Sequence, residues 1–456
     1  MIGINRLQII RKDKAFLNKL VLITVPIALQ GFLNTTINFV DTLMIGKLGE
    51  STIAAVGLAN KIFFVFSLVL FGICSGSGVL VAQYWGKRET INIKKVLGMA
   101  VILSFLTSLF FLIPAIINPR FMMRIFTPSE ESILIGAEYL IIVAFTYPMT
   151  AITNAYIAVL RGVNKVKVPV VISTISIFVN VFFNYVLIYG KLGAPALGVS
   201  GAAIATLIAR AVECIALLTI VYMDKGPVAA KLNEMFRFSK EFLKKFFDTV
   251  LPVIINEFMW GLGVTMYALA YGRMGDAAMA AITITQTTEQ ILQVVSMSLC
   301  NAAAVILGNE LGSGNLKEAE EHGKNFFFIQ IVLSVVIGII CFLSRDFVIS
   351  LFVVSDEVAG YIRLCFLSFI LYLPFKMFNA MNIVGVLRSG GDTKACLFLD
   401  TSGVWLIGIP MAFIGGLVFQ LPIYIVYAMV LSEELYKFIF GLKRYRKKVW
   451  LRNIVA

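Results

Sequence analysis

Asp41 closes a row of polar residues in an otherwise apolar stretch. Gln30, Asn34, Asn38 and Asp41 are spaced 4, 4 and 3 apart, which sets all four on one face of a helix. A second row, Ser173, Ser176, Asn180 and Asn184, is spaced 3, 4 and 4. A carboxylate among amide and hydroxyl oxygens either holds a proton or coordinates a hard cation such as Na⁺. Two such rows can enclose a wet cavity around Asp41. Amides also glue apolar helices together; the terminal carboxylate turns the reading towards ion binding.

An ionised group at the bilayer centre costs at least about 2.5–3.5 kcal/mol, so the others need reasons too. Glu257 follows Asn256 about a turn after Pro252 and is the second acid expected to bind a cation or proton. Lys376 and Asp400 are expected to complete its surroundings, since opposite charges offset part of each other's burial cost. Gln286, Glu289, Gln290 and Gln293 form a polar patch for substrate or coupling. Arg210 and Glu213, three apart, are expected to neutralise each other, and Lys61 to pair or snorkel.

These groups sit in a chain of 456 residues that is 59% hydrophobic and only 14% charged, against roughly 25% charged in average soluble domains. Crossing about 30 Å of hydrocarbon takes about 20 apolar residues. Such spans are predicted near 17–45, 53–83, 97–117, 132–160, 168–189, 201–223, 247–271, 277–308, 326–344, 364–387, 396–417 and 421–442. That is an all-α polytopic membrane protein of twelve transmembrane helices. Pro26 and Pro252 are expected kink points in the first span of each half.

The halves repeat each other. GKLGESTIAAVGLAN (46–60) returns as GRMGDAAMAAITITQ (272–286), an offset of 226 that also carries Pro26 onto Pro252 and VAQYWG (81–86) onto the end of ILGNELG (306–312). One residue out of step, AVLRG (158–162) answers GVLRS (385–389). Two six-helix lobes are expected, 1–223 and 247–456, joined by a linker at 224–246. Even span numbers imply a pseudo-two-fold axis along the membrane normal, the internal symmetry of alternating-access transporters. The linker's MFRFSKEFLKKF is expected as an amphipathic helix on the inner surface.

With the N-terminus inside, inner loops and tails hold 29 of the 39 Lys and Arg, and outer loops 7. That bias places both termini in the cytoplasm. The net charge of +13 is then a topology signal. Juxtamembrane charges such as KRYRKK (443–448) suit anionic lipid, and no basic soluble domain exists to bind nucleic acid. The six cysteines lie in or beside spans without paired spacing, as apolar core residues, and His322 is expected in an inner loop. No GxxxxGK[ST] loop exists to use ATP. GICSGSG (72–78) lies in an apolar span without a histidine to activate a serine; its small residues suit close helix packing. No enzyme, cofactor or resident metal is expected.

VPIALQGFLNTTINFVDTLMIGKLG (25–49), AAVGLAN, AVLRGVNKVKVP, GVLRSGGDTK and NVFFNYVLIYGKLGAPALGVSGAAIAT (180–206) resemble the multidrug and toxic compound extrusion (MATE) family through nearly the whole chain. The resemblance implies a two-lobed exporter of cationic amphiphilic compounds that exchanges them for Na⁺ or H⁺. It carries the family's first-lobe aspartate onto Asp41, its fifth-helix polar pair onto Asn180 and Asn184, and its seventh-helix glutamate onto Glu257. The tenth-helix acid of many relatives is absent; Lys376, Asn379 and Asn382 stand there, which leans the coupling ion towards H⁺. A monomeric plasma-membrane antiporter is expected. The alternatives are a flippase for a lipid or lipid-linked saccharide, which would favour a strongly cationic cleft, and a distant third, a membrane-embedded enzyme.

Overall fold

The structure, a computed structural model, describes residues 10–46, 50–352 and 354–456, except the side chains at 34, 37–40, 42–43, 46 and 50. The first half holds α1 (Lys14–Gly46), α2 (Glu50–Gly86), α3 (Thr90–Ile117), α4 (Glu130–Ala144), α5 (Thr146–Gly162), α6 (Lys167–Tyr189) and α7 (Gly198–Asp224). The second holds α8 (Lys240–Gly272), α9 (Asp276–Gly312), α10 (Leu316–Ser350), α11 (Asp356–Ala380, extended by a π-helical stretch Met381–Leu387), α12 (Thr393–Val418), α13 (Ile423–Leu431) and α14 (Glu433–Arg446).

Ten described helices are long and apolar enough to cross a membrane; α4 and α5, bent by 46°, make an eleventh span. Pro148 sits in the first turn of α5, where its missing N–H costs nothing. The twelfth expected span is α13 with α14. It is broken at Ser432 into two short helices, and Glu433, Glu434 and Lys437 in α14 are all buried. The expected inner-surface helix is not separate: Leu232–Met235 forms one turn, and the basic stretch from Lys240 opens α8.

The chain divides into two compact units, Pro26–Val81 with Glu89–Ile254, and Ile255–Ala456 with Met1–Val25 and Ala82–Arg88. These differ from the expected boundaries at 223 and 247, because the N-terminal part of α1 and the C-terminal end of α2 pack with the second half. Phe16 stacks on His322 at 4.5 Å. The His322 ring bonds Glu310 at 2.6 Å and Asp13 at 3.0 Å, so this histidine is a helical anchor. The Phe16 N–H, donating to Asp13 at 2.9 Å, holds that carboxyl below its usual range.

Glycines bring helices into backbone contact. In the first unit a Cβ on Gly72 would lie 2.6 Å from Ile254 Cα, and one on Gly76 2.9 Å from Val250 Cα, so GICSGSG is a packing stripe. In the second unit α2 and α9 cross reciprocally. A Cβ on Gly86 would lie 2.0 Å from the Asn309 carbonyl, and one on Gly312 2.0 Å from that of Gln83. The four residues are pairwise equivalent at the offset of 226. Backbone cannot yield as a flexible side chain can. Gly312→Ala is therefore expected to cost about 1–3 kcal/mol, read as a lower midpoint of thermal unfolding in detergent.

Candidate functional site

In the first unit, α1, α2 and α4 to α7 surround a cavity of about 480 Å³ whose wall includes Asp41, Tyr139, Ser176, Asn180, Arg210 and Glu213. Asn184 Nδ2 donates to Asp41 Oδ1 at 2.5 Å and to Asn180 Oδ1 at 3.0 Å; Asn180 Nδ2 donates to Thr206 at 3.4 Å. The two polar rows thus meet at Asp41. The side chains of Asn34 and Asn38 lie outside the described residues.

Gln30, at the other end of its row, serves a different chain of bonds. Arg161 donates to Gln30 Oε1 at 2.6 Å, and Gln30 Nε2 to Ser173 at 3.0 Å. The Ser173 hydroxyl then donates to Glu213 at 2.8 Å, which also takes the Arg210 guanidinium at 2.7 Å. Arg210 and Glu213 therefore pair as their spacing predicts. Both Glu213 oxygens are occupied, whereas Asp41 is bonded by the neutral amide of Asn184.

The second unit departs from expectation. Arg388 donates to Glu257 at 2.7 Å, and both are buried. Lys376 is not beside Glu257; it pairs with Glu289 at 3.0 Å, and Tyr427 also donates to that carboxylate. Asp400 is held by Lys437 at 2.8 Å and by Asn256 at 3.2 Å, so Lys437 has the place expected for Lys376. Asn379 donates at 2.8 Å to the carboxylate of Glu434, and Gln286 is half-buried one turn before Glu289.

Sequence reasoning missed Arg161, Arg388 and Lys437, counted as inner-loop or tail residues, and Glu433 and Glu434 entirely. A signal was present. The offset of 227 equates Arg161 with Arg388, while the offset of 226 that carries Pro26 onto Pro252 sets Glu257 opposite Gly31, one residue beyond Gln30. The repeat keeps one contact in both halves, an arginine on the first helix's side chain, as an amide in one and an ion pair in the other. The carboxylate at Glu257 is thereby committed to a structural cation. Among the described residues no three His, Cys, Asp or Glu side chains converge as a metal site.

A duplicated bundle of apolar helices, with a carboxylate-lined cavity in one half and buried ion pairs in the other, defines a multi-pass membrane protein of the transporter class. A family model, MatE, matches residues 26–186 and 252–414, and the chain belongs to that family of multidrug efflux transporters. It is 22% identical over 444 residues to the uncharacterized transporter YisQ of Bacillus subtilis, covering 97% of each chain. It is 28% identical over 416 residues to the probable multidrug resistance protein NorM of Pasteurella multocida, covering 87% of this chain and 85% of that one. Among solved structures it is similar to a MATE crystallised in the bent conformation, with a TM-score of 0.87, 19% identity and 98% of each chain covered. The fold is that of these twelve-helix, two-lobed transporters.

Proposed function

We propose that this chain is an ion-coupled antiporter that exports cationic amphiphilic compounds across the plasma membrane by alternating access, as a monomer with both termini cytoplasmic. The observation that carries the reading is the charge of the first-unit cavity. Its lining has two carboxylates and one guanidinium, and Glu213 is neutralised by Arg210. One negative charge, at Asp41, remains for a guest. Phe63 and Phe64 on the same wall suit an aromatic or apolar body, and cations gain from aromatic faces.

One carboxylate cannot be satisfied by two cations at once. A coupling ion at Asp41 weakens the cationic substrate, and by linkage the substrate weakens the ion to the same extent. Asn180, Asn184 and Thr206 supply oxygens for Na⁺, while a buried carboxylate holds a proton readily. H⁺ is the favoured ion, because the tenth-helix acid of many relatives is absent and Glu257 is engaged by Arg388.

The test is efflux of a fluorescent cationic dye from vesicles carrying the purified protein, under separately imposed pH and Na⁺ gradients. Efflux driven by the pH gradient alone is expected. Transport that runs on Na⁺ with the pH gradient collapsed, and stops when K⁺ replaces Na⁺, reverses the choice of ion. No response to either gradient removes ion coupling.

A further inference from the structure

The repeat assigns a counterpart to each wall of the first-unit cavity. At offsets of 226 and 227, Asp41, Phe63, Ser173, Thr206 and Arg210 fall on Tyr267, Glu289, Asp400, Glu433 and Lys437. The first half lines a cavity at these positions, and the second fills them with charge.

That charge does not balance. Lys376 faces Glu289, while Lys437 is shared by Asp400 at 2.8 Å and Glu433 at 3.4 Å. Glu434, adjacent in sequence and equally buried, meets the Asn379 amide and no Lys or Arg at ion-pair distance among the described residues. Glu257 and Arg388 cancel each other. Four carboxylates thus stand against two ammonium groups, all largely removed from water. An uncompensated buried charge costs several kcal/mol, and two adjacent carboxylates cannot both ionise cheaply. Two further positive charges must reside here.

A second observation points the same way. Tyr271 is 1% exposed, its hydroxyl has no hydrogen-bond partner among the described residues, and it lies within electrostatic reach of Glu433 and Glu289. Tyr267, one turn earlier, donates to Glu433 at 2.6 Å. No three His, Cys, Asp or Glu side chains converge among the described residues, which disfavours a multivalent metal ion, and a proton neutralises a buried carboxylate without needing further ligands.

We infer that the α14 pair Glu433–Glu434, with Asp400 and Glu289 around it, is a proton-binding site that holds two protons when closed. Breaking each O–H bond sends a proton to water and leaves a carboxylate, so exposure of the cluster discharges it. In the exporter reading, on which only this use of the protons rests, they are the second lobe's share of the exchange. The facing titratable and charged groups are Tyr267 and Tyr271 from α8, Glu289 from α9, Lys376 from α11, Asp400 from α12, Tyr427 from α13, the Glu257–Arg388 pair beside Asp400, and Lys437 on α14 itself.

The test is infrared spectroscopy of the full chain in lipid nanodiscs, reading the C=O stretch of protonated carboxyls at neutral pH. The wild type is expected to show two equivalents that Glu257→Gln leaves in place. Both are lost in the Glu433→Gln/Glu434→Gln double variant, whose amides keep the shape of the protonated acids. Glu434→Gln alone, the milder change, is expected to lose about half. No such absorption in the wild type, or an undiminished one in either variant, overturns the inference. Dye efflux separates the two readings. Efflux driven by a pH gradient with the absorption unchanged in the double variant leaves the exporter standing and removes this site. Loss of the absorption in a protein that answers to no ion gradient keeps the site and removes the exporter.

Discussion

Asp41→Asn is expected to insert and fold normally and to lose coupled efflux. The amide has the size of the carboxylate and can still accept from Asn184, so the junction of the two polar rows survives. What disappears is the single charge left over in the cavity once Arg210 has neutralised Glu213. A contact to a charged group is worth about 1.5–3 kcal/mol, which converts to a tenfold to hundredfold loss of affinity for coupling ion and cationic substrate alike. Ion-driven dye efflux in vesicles measures it. Wild-type rates at normal protein levels would remove Asp41 from the mechanism.

The largest effect on stability is expected from Arg388→Ala. It leaves the Glu257 carboxylate buried without its cation, and breaking a buried pair in this way costs about 3–5 kcal/mol. Glu257→Gln should be far milder, because the first half already satisfies the equivalent Arg161 with an amide, Gln30, at 2.6 Å. The double variant Arg388→Ala/Glu257→Gln should recover much of the loss. Thermal unfolding of the four proteins in detergent closes this cycle. Equal destabilisation by Arg388→Ala and Glu257→Gln would contradict the assignment of Glu257 as the arginine's anchor.

The fold was legible because its signals are large. Apolar runs of membrane length and a repeat at 226 need no tertiary information. In the first lobe the meeting of Asp41, Asn180 and Asn184 was legible too, since they lie along faces that helical spacing alone defines. The second lobe was opaque for two reasons. Its partners come from helices distant in sequence, so spacing could not show that Glu257 reaches Arg388 or that Lys437 reaches Asp400. Its last span, predicted over 421–442, also breaks the composition rule by burying Glu433, Glu434 and Lys437, whose partners the sequence alone does not name. An ionisable residue near the end of a chain looks like surface until a neighbour is known to enclose it. Lys376 was misplaced for the same reason, as its partner Glu289 lies 87 residues away.

The glycine crossing of α2 and α9 bears on how the two halves have been free to diverge. A duplication begins with identical copies, and most matched positions here have since parted company: Gly31 from Glu257, Thr206 from Glu433, Phe63 from Glu289. Gly86 and Gly312 cannot part in this way. Each rests on the carbonyl of the residue three before the other, so a side chain on either pushes apart a contact that both copies make. Drift in one half is vetoed by the backbone of the other. The ancestral sequence therefore persists at this crossing as a mechanical necessity, while on both sides of it the gene copies have been at liberty to specialise.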